Sequence, residues 1–481
     1  MDIIKSSIKI LIARVGKSAS QFLAVVLFSR ALGASPLGTY YPFIALLGIV
    51  SIPATFGLAT ATEKRISEGE DPERHLGTAI TLRLGFVTII SIVLYVGRGY
   101  IDQFFGSELA LLFIATLFAK QASDFSLNVL RGELRVGETA LIEVIRPLCW
   151  LVVGYALYLE GFGVRGLIYG YLVGCILMAV VGWWKVSTGV SLPSLAHARS
   201  LLSFGKYSAI AETGGYIYSW IDVVILSLFV SYGITATRAD IGAYENAWRL
   251  TLVVMLLSRS IATTVFPQFS RWESEDALKQ IESVIPRATL PGLMIVIPAF
   301  AGTTILAEDL LSILFGPEFT VAALALTILA GERILQAFHS ILGQVIWGIN
   351  KPKLAAYPIL ISATVNLVLN VLLIWMFGIV GAAVATLVSS AVLLGFQIHY
   401  LRQFMEISLP IQEGAWCAVS ASAMWVVVRL VYESMSVDSL LELAAIVAVG
   451  AVTYGLIIVL YKPLREFLTE MTRTALPVDS Q

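Results

Sequence analysis

Charge is scarce in this sequence. Only 14% of its 481 residues are Asp, Glu, Lys or Arg, against about a quarter in a soluble globular chain. The formal net charge is −1, so nothing points to a nucleic-acid partner. Cysteine occurs three times, at Cys149, Cys175 and Cys417, always inside an apolar run. With no CxxC and no Cys/His cluster, neither a metal site nor a disulfide framework is expected; the three thiols read as small apolar fillers. No GxxxxGK loop occurs, so the chain is not expected to use ATP that way. Strand-type alternation is missing, so a barrel is not expected. The first apolar stretch has a basic start but no clear cleavage site, and reads as a retained helix rather than a signal peptide.

Apolar length is what the sequence has in abundance. Hydrophobic residues make up 58% of the chain. Runs of about twenty recur from end to end, each long enough to cross a hydrocarbon core of roughly 30 Å. The expected fold is therefore an all-α integral membrane protein with about 14 transmembrane helices. The predicted spans are 8–31, 38–61, 77–97, 107–129, 139–159, 164–185, 203–231, 242–267, 284–306, 320–346, 355–376, 379–401, 412–432 and 439–461.

The distribution of positive charge orients them. With a cytoplasmic N-terminus, the inner segments carry Lys5 and Lys9, Lys64, Arg65 and Arg74, Arg131 and Arg135, and Lys185 and Arg199. Further along they carry Arg271 and Lys279, Lys351 and Lys353, Arg402, then Lys462, Arg465 and Arg473. The outer connections carry Arg98, Arg165, Arg238 and Arg429. Both termini are therefore expected on the inside of the cell membrane, with residues 462–481 as a polar, frayed cytoplasmic tail.

An internal repeat divides the chain. LGTYYPF at 37–43 matches IGAYENA at 241–247, FFGSE at 104–108 matches LFGPE at 314–318, and GFGVRG at 161–166 matches MFGIVG at 376–381. Order is kept, at an offset of roughly 210 residues. The expected organisation is an N-terminal lobe of six helices over 1–190 and a C-terminal lobe of six over 200–405. Two further helices follow over 412–461. An even helix count per lobe makes the repeat parallel, and such paired bundles enclose a central cavity and rock about it.

Polar residues inside the spans fall on defined faces. A charge at mid-bilayer costs about 2.5–3.5 kcal/mol on insertion scales, so such residues turn toward protein or water. In the first span, Arg14, Lys17, Ser18 and Gln21 share one helical face. Lys120, Asp124 and Arg131 form a stripe in the fourth, Glu245, Arg249 and Arg259 in the eighth, and Arg333, Gln336, Ser340 and Gln344 in the tenth. Arg83 and Arg146 add single charges. Lys120 with Asp124, Glu245 with Arg249, and Glu143 with Arg146 are also spaced to neutralise one another along a helix. Asp222 is a lone acid that could pair with a cavity arginine, and Asn366 with Asn370 is spaced to bond neighbouring helices. Deep cations outnumber deep acids. If the stripes face one cavity, it is positive and attracts a large anion, and arginine suits phosphate through paired hydrogen bonds.

Several stretches then show a resemblance: SRALGASPLGTYYPF at 29–43, GLATATEKRIS at 57–67, LLSFGKYS at 201–208, WIDVVIL at 220–226, IGAYENA at 241–247 and LFGPEFTVAALAL at 314–326. The chain resembles the polysaccharide transporter family, flippases of the O-antigen and teichoic-acid type. That family shares a superfamily with lipid II flippases and multidrug and toxin extrusion exporters. The resemblance covers about 1–405 well and the last two helices loosely. It implies two six-helix lobes in a V, alternating access, and a sugar on a polyprenyl phosphate or pyrophosphate as cargo. It also implies basic cavity residues on the first and eighth helices, where Arg14, Lys17 and Arg249 match by position.

The expected substrate-binding set is Arg14, Lys17, Gln21, Arg83, Lys120, Arg249, Arg259 and Arg333. Asp124, Asp222 and Glu245 are candidates for coupling or charge pairing. The expected partners are the lipid-linked glycan, membrane lipids and glycan-assembly enzymes, for a monomer without cofactor or catalytic residues. Two other readings compete. A cation-coupled multidrug exporter would share the fold, yet the first span lacks the interior acid that many such exporters use. A membrane glycosyltransferase would carry sizeable outer loops rich in acids, and here those loops are short.

Overall fold

The computed structural model describes residues 20–256, 277–349 and 352–475, together with positions 18, 258, 261, 269, 271–273 and 275. Within these it is all helix. The chain divides into two compact units, one up to Gly242 and one from Ala243 onward. The first unit thus extends beyond residue 190.

The first unit contains α1 (Ser20–Leu32), α2 (Ala34–Thr55), α3 (Leu58–Glu68), α4 (Pro72–Val96), α5 (Arg98–Phe105) and α6 (Ala110–Gly132). It continues through α7 (Val136–Ile142), α8 (Ile145–Leu159), α9 (Gly163–Lys185) and α10 (Leu195–Ser231). α11 (Arg238–Val254) begins in it and ends in the second unit. The second unit holds α12 (Leu278–Leu314), a 3₁₀ turn (Pro317–Ala322), α13 (Ala323–Gly348), α14 (Pro352–Leu401), α15 (Ile411–Ser434), α16 (Leu440–Ile458) and α17 (Lys462–Ala475).

Ten helices among the described residues are long and apolar enough to cross a membrane. α14 covers two predicted spans because the chain folds back at Gly378 (φ 57°, ψ −134°) without leaving helix on either side. A side chain at that φ would be strained, so only glycine turns the chain this tightly. Gly163, its match in the repeat, also has a positive φ of 52°. Parts of the first and eighth predicted spans, 8–17 and 262–267, lie outside the described residues.

Close backbone contact joins α8 to α9. Gly166, Gly170 and Gly174 recur every four residues on α9. A Cβ on Gly170 would meet the Gly154 nitrogen at 2.5 Å, and one on Gly174 would meet the Arg146 carbonyl oxygen at 2.9 Å. Small residues at this spacing let membrane helices pack backbone to backbone, where no hydrophobic drive exists between helices. Elsewhere in this unit, Leu58, Ala61, Leu76, Ala79, Phe125, Val129 and Leu201 form one apolar cluster between α3, α4, α6 and α10.

In the second unit, polar side chains join the two halves of α14. Asn370 donates to Asn366 at 3.0 Å, and Asn366 donates to Ser389 Oγ at 3.1 Å. The tail expected to fray is instead helical as far as Ala475. Its physical reason is a short apolar stripe: Leu464, Phe467 and Leu468, at i, i+3 and i+4, pack against the cluster built on Met424, Leu443, Tyr454 and Ile458.

Candidate functional site

A cavity of ≈ 820 Å³ opens inside the first unit. Its walls come from α2 and α3, from the middle of α4 and α6, from the start of α8, and from α10. Four cations line it, Arg83, Lys120, Arg131 and Arg146, with three acids, Glu63, Asp124 and Glu143.

The charges are organised in two knots. On α6, Lys120 Nζ lies 2.7 Å from Asp124 Oδ2, the pairing its spacing predicts. Arg146 reaches across from α8 and donates to the other carboxylate oxygen at 3.0 Å. One carboxylate thus holds two cations, and the knot keeps a net positive charge. The Arg146 guanidinium also lies 5.5 Å from the Tyr171 ring of α9. In the second knot, Arg131 pairs with Glu143 at 2.5 Å. Glu63, on α3, has its carboxyl pushed up by burial, with Arg131 pulling the other way.

Arg83 is only 4% exposed. It donates to Gln121 Oε1 at 2.6 Å and lies over the Phe125 ring at 4.3 Å. Opposite, α10 contributes Tyr216 and Trp220, stacked with ring centroids 6.2 Å apart. Gly48 on α2 leaves room for the Tyr216 hydroxyl, since a Cβ there would sit 1.5 Å from it.

Of the expected site residues, Arg83, Lys120 and Asp124 therefore meet in one cavity. Gln21 is exposed on α1, and Asp222 is half-buried on α10. Arg14, Lys17 and Arg259 lie outside the described residues. In the second unit, Arg249 pairs with the buried Glu245 at 2.8 Å. Arg333, 3% exposed, lies 3.0 Å from Glu332 and donates to Thr251 at 2.9 Å and to Gln336 at 2.6 Å. Glu332 accepts a further bond from Ser390 at 2.5 Å. Arg333 is thus built into the packing of α11, α13 and α14.

Arg131, Glu63, Glu143, Arg146, Tyr216 and Trp220 line the cavity without belonging to the expected set. The stripe of Arg131 with Lys120 was a signal for the first. Arg146 and Glu143 were visible as intramembrane charges, but their partners lie on other helices.

Residues 27–324 match the family described as polysaccharide biosynthesis protein. The chain is 42% identical to a probable low-salt glycan biosynthesis flippase, Agl15, of Haloferax volcanii, over 97% of this chain and 98% of that one. It is 28% identical to a probable flippase, AglR, of the same organism, over 89% of each. Among solved structures, a lipid II flippase, MurJ, in an inward closed conformation superposes with a TM-score of 0.81 at 16% identity. That match covers 94% of this chain and 98% of the other, and shows a shared fold.

Proposed function

This chain belongs to the polysaccharide biosynthesis protein family, and from that membership we propose that it is a flippase for a lipid-linked saccharide. Its cargo is a sugar or oligosaccharide on a polyprenyl phosphate or pyrophosphate. It carries that cargo across the cytoplasmic membrane by alternating access, for surface polysaccharide or glycoprotein synthesis.

The observation that carries this reading is the charge of the cavity. Four cations face three acids there. An anionic phosphate supplies the missing negative charge, and in a low-dielectric site that compensation is worth more than in water. Lys120 and Arg146 are then the first grip, because Asp124 already divides one negative charge between them. Tyr216 and Trp220 offer apolar ring faces beside the cations, suited to the C–H face of a sugar. A cation-coupled drug exporter would want the opposite sign of charge.

The proposal extends to the whole chain. The repeat-related lobes are 1–190 and 200–405, with α10 of the second repeat packing into the first compact unit, helices over 412–461 as an addition and both termini cytoplasmic. Arg14, Lys17, Arg249 and Arg259 are further proposed phosphate-binding residues. Asp222 and Glu245 join Asp124 as charge-pairing or coupling acids. The protein works as a monomer alongside glycan-assembly enzymes.

The test is a deletion strain complemented with the double variant Lys120→Ala, Arg146→Ala. The variant is expected in the membrane at normal amount, with surface glycan lost and its lipid-linked precursor accumulating inside. Normal surface glycan in the uncomplemented deletion strain would overturn the proposal.

A further inference from the structure

A second hollow of ≈ 400 Å³ lies behind the charged cavity, between α4, α6 and α9. Its character is opposite. Ile80, Leu84, Val87, Phe118, Phe125, Trp183 and Val190 supply most of its wall. It opens onto the apolar exterior, where Leu84 is 57% and Phe118 39% exposed. Two polar residues line it as well, Arg83 and Gln121, and these are the two it shares with the charged cavity.

The partition between the two hollows is thus a single hydrogen-bonded pair, Arg83 with Gln121. It lies within the third predicted span, about 9 Å along α4 from residue 77 at 1.5 Å per residue. An apolar groove, a cation and a polar cavity in that order match one kind of molecule. A polyprenyl phosphate has a hydrocarbon tail, an anionic junction and a polar head in the same order.

We propose that this groove takes up the first isoprene units of the polyprenyl carrier, with Arg83 holding the phosphate where tail and head meet. The inference rests on the flippase reading above. Two physical arguments carry it. The tail stays in hydrocarbon throughout, so it never crosses the charged cavity that the sugar occupies. A phosphate oxygen replaces the Gln121 amide oxygen as acceptor, and a charge-assisted bond from arginine is the stronger of the two. Gln121, released, can turn its amide to the phosphate or back to the Ser51 carbonyl, which it meets at 3.5 Å.

The test uses the full-length protein in lipid nanodiscs with a short polyprenyl phosphate carrying a diazirine near its phosphate end. Labelling is expected on peptides containing Leu84, Phe118 and Val190. Unlabelled polyprenyl phosphate should compete it away, and polyprenol or phosphatidylglycerol should not. Arg83→Gln should lower the competable label about tenfold, the loss of one charged hydrogen bond, while Arg83→Lys keeps part of it. Leu84→Trp, which fills the groove and leaves every charge in place, should lower it as well. Competable label elsewhere on the chain with none in the groove would overturn the groove and leave the flippase reading standing. No competable label anywhere would overturn both. Equal competition by phosphatidylglycerol would assign the groove to bulk lipid and overturn the inference.

Discussion

Arg146 and Lys120 share one carboxylate. The guanidinium of α8 approaches Asp124 at 3.0 Å and the ammonium of α6 approaches it at 2.7 Å. Two cations therefore stand side by side, restrained by half the negative charge they need.

Removing that restraint has a definite sign. Asp124→Asn keeps the shape and deletes the carboxylate bonded to both cations. Polyprenyl phosphate is expected to bind about tenfold more tightly, as for one charged hydrogen bond gained, and to be released more slowly. Calorimetric titration in detergent and a flipping assay in proteoliposomes measure the two effects. Weaker binding would mean that Asp124 orients the cations rather than competing for them.

Arg333 and Glu332 predict a different phenotype. Both are buried, 3.0 Å apart, in the second unit. Arg333→Ala leaves an uncompensated carboxylate and should cost about 3–5 kcal/mol of stability. The double variant Glu332→Gln, Arg333→Gln should recover much of that loss. Thermal unfolding in detergent separates the cases.

The α8–α9 contact leaves no room for a side chain. Gly170→Val should lower stability by about 1–3 kcal/mol through overpacking, while Gly302→Val, where nothing lies within 4 Å of the Cβ position, should change it little. Comparison of the two melting temperatures is the check.

Glu133 makes a pH-dependent anchor outside the spans. Burial alone would raise its carboxyl, but the Thr188 amide and hydroxyl and the Ser187 amide, all at 2.7–2.8 Å, outweigh that and hold it below the usual range. A lowered folded value stabilises above the unfolded value of about 4.3, and the gain is lost as pH falls through the folded value. The stretch after α9 should therefore loosen only in acid. Hydrogen exchange at Ser187 and Thr188, corrected for intrinsic rate, should show protection falling below about pH 4.3 in the native chain. In Glu133→Gln it should be low at every pH.

The sequence carried the helices and two of the three pairs expected along one helix, the third exchanging partners so that Glu143 meets Arg131 and Arg146 meets Asp124. Lys120 with Asp124 and Glu245 with Arg249 follow from a four-residue spacing, and each forms. Contacts between helices were another matter. Arg146 joins Asp124 across 22 positions and Arg131 joins Glu143 across 12, and periodicity on one helix says nothing about which neighbour it faces. The aromatic wall on α10 escaped for the same reason, because Tyr216 and Trp220 look like ordinary lipid-facing or core residues until α2 is set beside them. Arg333 shows the converse: its stripe was legible, but its depth in the packing depends on α11 and α14. The tail helix was legible in principle, through Leu464, Phe467 and Leu468, but their stripe is only about one turn long.

The reversal at Gly378 has one more consequence. Two helices of α14 join through a single residue, and α8 passes to α9 through residues 160–162 alone. In the proposed orientation both turns face outward. Neither turn is long enough to fold over a glycan, so neither can close behind one on the outer side.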